Sequence, residues 1–148
     1  MKGSIFDNLS KVSLDLLKTA QKESKNRDQP FITSLCLLSA LYYNPRIRGF
    51  LEARGLVKNS INNALEHSLE HKMACPAATI PGFILPLSDK LQEVIIEANH
   101  VAMEAERSLI RPEDLLIGLL RECTNEAAFL LTRSGIRLHK IYYHFNYP

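Results

Sequence analysis

The chain has 148 residues, 46% of them hydrophobic and 23% charged, with a formal net charge of +2. That length holds one full core, or two small halves packed into each other. A charge this small demands neither a nucleic-acid nor a membrane partner, and no stretch approaches the ~20 apolar residues that cross a bilayer. The charge is unevenly placed. Residues 1–58 carry ten Lys and Arg against five Asp and Glu, whereas residues 59–148 carry eight against eleven. Cys36, Cys75 and Cys123 are an odd number at no metal-like spacing, which predicts free thiols in a reducing compartment. The first 26 residues include Asp7, Asp15 and Glu23 and lack the apolar run of a signal peptide, so a cytoplasmic location is expected.

Taken in order, residues from about Ser4 to Lys25 place Leu9, Val12, Leu16, Leu17 and Ala20 at helical spacing. The polar run Lys25 to Pro30 is a loop. A second helix runs from an N-cap at Thr33 through the apolar stretch to about Tyr43. Asn44-Pro45 breaks it and starts a third, which stops at Gly55 in the C′ position. A fourth begins near Lys58 and uses Ile61, Leu65 and Leu69. Between Lys72 and Pro86, three prolines and a glycine exclude regular helix, and Ile80, Phe83 and Ile84 are expected to pack back between the halves. The cycle then recurs. Ser88 caps a long helix to about Glu106, Pro112 opens another, Asn125 a third ending at Gly135, and residues 137–145 form the last. Nothing reads as a strand.

The recurrence is an internal repeat. Phe31-Ile32 matches Leu109-Ile110, Leu37-Leu38 matches Leu115-Leu116, and Ala40 and Leu41 match Gly118 and Leu119, all 78 positions apart. Downstream the offset becomes 80, pairing Phe50-Leu51 with Leu130-Leu131 and Gly55 with Gly135. A small residue at one register in both copies predicts that another helix crosses closely there. The expected fold is all-α: one domain over 1–148, with repeat one at 4–72, a linker at 73–86 and repeat two at 87–147. Each half supplies four helices, eight in all.

The stretch Arg111-Pro112-Glu113-Asp114-Leu115-Leu116-Ile117-Gly118-Leu119-Leu120-Arg121-Glu122 follows a pattern Gly-Thr-Glu-His-Ile-Leu-Leu-Gly-Leu-Ile-Arg-Glu. With the double repeat of about 75–80 residues per half, Phe31-Ile32-Thr33 and the Ala-Phe-Leu-Leu stretch at 128–131, it resembles the N-terminal domain of the Clp AAA+ unfoldases. The resemblance covers nearly the whole chain. It implies a recognition domain that receives substrates or adaptors, has no catalysis of its own and needs no cofactor. The chain contains no Gly-x-x-x-x-Gly-Lys-Ser/Thr phosphate loop. The resemblance therefore implies an excised N-domain or a free-standing accessory protein of a Clp chaperone–protease, with Clp components, substrates or adaptors as partners. Its ending at 143–148 leans towards free-standing. Small relatives of that kind serve plastid proteases, so the stroma is the alternative location.

In some members a Glu before the helix His of each half helps bind phosphorylated arginine. Here the second half has Glu113 with Asp114 in place of the His, and the first half has Leu35 and Cys36. The resemblance thus implies a divided site. Leu35 and Cys36 would take an apolar group, and Glu113 and Asp114 a basic one. The plainer reading of Glu113 is a first-turn carboxylate favoured by the helix dipole.

One rival reading belongs to another class. His67, Glu70 and His71 spell H-x-x-E-H, which on one helix would set two imidazoles a turn apart for zinc, as in a small metallohydrolase. The repeat instead makes this the fourth helix of the first half. A third reading keeps the scaffold and gives it another protein partner. Tyr42-Tyr43 and Tyr142-Tyr143 recur near helix ends, where aromatics cover a core or line a peptide groove.

Overall fold

A computed structural model describes residues 4–148; the first three residues of the expected domain lie outside the described residues. A 3-10 turn at Ile5–Asn8 leads into α1 (Lys11–Asn26), α2 (Ser34–Leu41), α3 (Pro45–Glu52), α4 (Lys58–Glu66) and the single turn α5 (Glu70–Met73). The second half has α6 (Asp89–Glu104), α7 (Pro112–Glu122), α8 (Glu126–Arg133) and α9 (Leu138–His144). Eight of these are the expected helices, four to a half, and α5 is an addition. Among the described residues no helix is long and apolar enough to cross a membrane.

The halves are tied by exchange. Leu9 forms a parallel bridge with Ile110, and Leu87 forms one with Ile32. Ser10 N donates to Ile110 O at 3.0 Å, and its equivalent Ser88 N donates to Ile32 O at 2.9 Å. Because Leu9 and Leu87 are equivalents, as are Ile32 and Ile110, each half reaches into the other by the same contact. That is a pseudo-twofold arrangement. It also corrects the first helix, which does not run unbroken from Ser4: Leu9 is drawn into the bridge, and Ser10 restarts the chain as N-cap, accepting from Ser13 N. The buried stripe of α1 is then Ser13, Leu17, Ala20 and Ser24, leaving Val12 exposed.

At the centre lie α2 and α7, buried along nearly their whole length. Gly118 shows how tightly they are crossed, since a Cβ there would sit 2.5 Å from Val94 O on α6. Both third helices end in the same cap. Leu56 N donates to Leu51 O and Ile136 N to Leu131 O, each at 3.0 Å, with Gly55 and Gly135 at φ of 86° and 80°.

Two further expectations are corrected. The fourth helix stops at Glu66, so Leu69 is not on its buried face and stands exposed on the next turn. Of the apolar residues between the halves, Ile80 and Phe83 are buried, but Ile84 is exposed. Gln21 Oε1 accepts from Ile84 N and Leu85 N, which holds this backbone at the surface of α1.

Candidate functional site

Thr33 stands at the N-cap of α2 without capping it; its hydroxyl donates to Cys36 Sγ. The cap comes from 36 residues away. Glu70 Oε2 accepts from Ser34 N at 2.9 Å and Oε1 from Ser34 Oγ at 2.6 Å, while Ser88 Oγ donates to Oε2 at 3.0 Å. Glu126 answers from α8. Its carboxylate accepts from Leu69 N at 2.8 Å, Glu70 N at 3.2 Å and Ser68 Oγ at 2.5 Å. Each carboxylate thus meets the unpaired N–H groups of a helix start, where the dipole favours negative charge.

This lock pins α5 against α2, α6 and α8 and leaves its apolar side chains outside. Leu69 is 53% exposed, Met73 79%, and Phe129 on α8 58%. The three line an open groove of about 430 Å³, with Asp89, Lys90 and Thr124 on its rim. Phe129 and Glu126 also border a second groove of about 320 Å³, bounded by Asn63, Ala64, His67 and Arg133 with Leu35 at its floor. Apolar surface therefore continues along both sides of one phenyl ring. Large exposed apolar groups gathered at one place mark an interaction site more often than a lone exposed leucine does.

The zinc arrangement is not formed. His67 is the residue after α4, with Nδ1 at 2.9 Å from Asn63 O; Glu70 is a buried capping carboxylate, and His71 lies on α5. The three do not share a helix face. Among the described residues no three His, Cys, Asp or Glu side chains converge on a metal position.

The four residues suggested by the repeat sit at the starts of α2 and α7. Leu35 is buried, and Cys36 is wholly so, its Sγ 3.7 Å from Gln29 Oε1; burial pushes the thiol's pKa up. Asp114 is wholly buried. Arg107 donates to both its oxygens at 2.7 Å, Arg111 N donates at 2.8 Å, and the Tyr147 hydroxyl donates to Oδ1. Gln29–Cys36 and Arg107–Asp114 are the same pair one repeat apart, neutral in one half and ionic in the other. Glu113 is nearly buried and faces Arg46 Nη1 at 2.5 Å, an arginine whose side chain is 68% exposed. Leu35 and Glu113 line different grooves, the latter with Arg46, Phe145 and Tyr147.

Phe129 was missed in reading the sequence, although two signals point to it. Ala127, Ala128, Leu130 and Leu131 are the buried face of α8, so the residue between them projects outward. Its equivalent 80 positions earlier is Gly49. The other half has nothing there.

A family model for the Clp repeat (R) N-terminal domain matches residues 8–134. No curated protein sequence matches the chain. Among solved structures, the N-domain of ClpV in complex with a VipB peptide is similar at TM-score 0.71 and 20% identity, over 95% of this chain and 86% of that one. The N-terminal domain of the chaperone ClpD from Arabidopsis thaliana aligns at 0.69 and 18%, over 97% and 96%. That of Hsp104 from Candida albicans aligns at 0.68 and 14%, over 93% and 88%.

Proposed function

We propose, for a chain that belongs to the Clp repeat N-terminal domain family, a role as a protein-binding accessory or regulatory module of a Clp chaperone–protease. Domains of this family are protein-interaction modules of Clp unfoldases. The groove around Phe129 takes an apolar side chain of the partner. One observation carries the reading: Leu69, Met73 and Phe129 stand exposed around a single groove, held there by two carboxylates that fix α5. Covering a phenyl ring contributes about 1.5–3 kcal/mol, enough to make it an anchor of a modest interface. The ClpV N-domain, of the same fold, is known with a peptide bound, which supports a peptide segment as the occupant.

In this reading Leu35 acts from beneath, as the floor of the second groove, and the buried Cys36 offers a partner no surface of its own. Glu113, with Asp114 behind it, offers a carboxylate to a basic group of the partner when Arg46 swings aside. The function involves no catalytic residue, cofactor or nucleic acid. A scaffold serving some other protein would use the same groove and differ only in its partner.

The test is the affinity of the purified protein for the Clp ATPase and protease components of its own cell. Phe129→Ser with Met73→Ser changes only exposed side chains, so the fold persists. Binding is expected to weaken at least about ten-fold. Unchanged binding to the same components would remove the groove from the interface.

A further inference from the structure

A second surface lies at the junction of α3 and α9, lined by none of the residues of the Phe129 groove. Ala53, Arg54, His139, Lys140 and Tyr143 surround a shallow depression of about 540 Å³. Tyr143 is 88% exposed, the most open of the chain's large aromatic side chains, and His139 and Lys140 are exposed beside it. Arg54 is held in place, its guanidinium carbon 3.9 Å from the centre of the Phe50 ring and Nη1 donating to Phe50 O at 3.1 Å. No carboxylate lines the depression. The nearest in sequence, Glu52, accepts a hydrogen bond from the Tyr42 hydroxyl. Among the described residues neither Arg54 nor Lys140 is in an ion pair.

The pseudo-twofold supplies an internal control. At the 80-residue offset, Arg54, His139, Lys140 and Tyr143 correspond to Ser134, Asn59, Ser60 and Asn63. Ala53 corresponds to Arg133, so the equivalent corner keeps one cation but has no second one and no aromatic ring. Folding does not require a pair of cations or an exposed ring at this place, since the equivalent corner has neither.

We propose that this corner docks an acidic peptide segment of a partner protein, with Arg54 and Lys140 meeting its carboxylates and the Tyr143 ring covering an apolar side chain between them. A preset guanidinium suits a carboxylate, because little freedom is lost on pairing. The flexible lysine adds charge, and the phenol ring adds area at little conformational cost. Two free cations make a footprint too short for the run of phosphates that nucleic-acid binding rests on, which favours a peptide.

The probe is a fluorescein-labelled peptide of twelve residues carrying four Glu around a central Leu, compared with its Gln counterpart and with a single-stranded oligonucleotide of equal charge. In fluorescence anisotropy at low salt, the Glu peptide is expected to bind about ten-fold tighter than the Gln peptide and to weaken as salt screens the contact. Lys140→Glu and Tyr143→Ser each alter an exposed side chain and should each weaken it several-fold, whereas Phe129→Ser should not. Binding of the Glu peptide unaffected by Lys140→Glu, or an oligonucleotide held as tightly as the peptide, would overturn the assignment. Loss of Clp binding in the Phe129 variant with peptide binding intact leaves this proposal standing, so the two readings fail separately.

Discussion

Asp114 and Cys36 occupy one position of the repeat and solve it with opposite chemistry. The Arg107 side chain is mostly covered and its partner Asp114 wholly so. Removing the carboxylate leaves a largely desolvated guanidinium, so Asp114→Ala should cost about 3 kcal/mol in urea denaturation. Grafting the first half's solution, Arg107→Gln with Asp114→Cys, should recover most of that loss because no unpaired charge remains. A double variant as unstable as the single one would show that the repeat equivalence does not extend to this pair. Tyr147 adds a pH dependence. Burial, and then the hydrogen bond to Asp114, raises its phenol pKa well above the usual 10.0. The unfolded chain therefore releases this proton near pH 10 while the folded chain keeps it, so stability is full below about pH 10 and falls as pH rises further. Tyr42, raised by its hydrogen bond to Glu52, acts in the same sense. Stability measured from about pH 8 to 11 should fall less steeply for Tyr147→Phe than for wild type; an equal slope would exclude Tyr147 as a cause.

Among the elements, α2 and α7 are the pair whose sequence says most. Their apolar runs, their small residues at one register and the glycines closing the next helices made the double repeat readable without coordinates. Gly118 confirms the expected close crossing. In an ordinary helix Gly→Ala gains about 1 kcal/mol; here the added methyl meets the Val94 carbonyl at 2.5 Å, and Gly118→Ala should instead cost about 2 kcal/mol. A variant with a raised melting temperature would mean that α6 yields easily at this crossing. The element the sequence concealed is α5. His67 to His71 has helical spelling, but contacts from far along the chain, Glu70 to Ser34 and Glu126 to Ser68, Leu69 and Glu70, hold it where it breaks and turns. Local periodicity carries no trace of a cap delivered from that distance. Phe129 was different, since its outward position followed from the buried neighbours on both sides. Leu35 and Cys36 were recognisable as apolar, but that the second groove opens over Leu35 depends on α4 and α8 both packing on α2 and flanking it, which is a tertiary fact.

For the molecule as a whole, the pseudo-twofold gives two copies of each surface, and the copies have diverged. Phe129 corresponds to Gly49 across the repeat, Glu113 to Leu35, and the corner with Arg54, Lys140 and Tyr143 to one with a single cation and no aromatic ring. A duplicated scaffold whose equivalent edges differ this much suits a module that engages different partner groups on its two sides. The Phe129 side of this scaffold is the docking surface proposed for a Clp component. Its most direct test is a photocrosslinker, benzoylphenylalanine, placed at position 129 and, in a second sample, at the exposed equivalent Gly49, each mixed with purified Clp ATPase. A crosslink to the ATPase is expected from position 129, suppressed by excess unlabelled protein, and none from position 49. Equal crosslinking from both positions, or crosslinking from 49 alone, would contradict it.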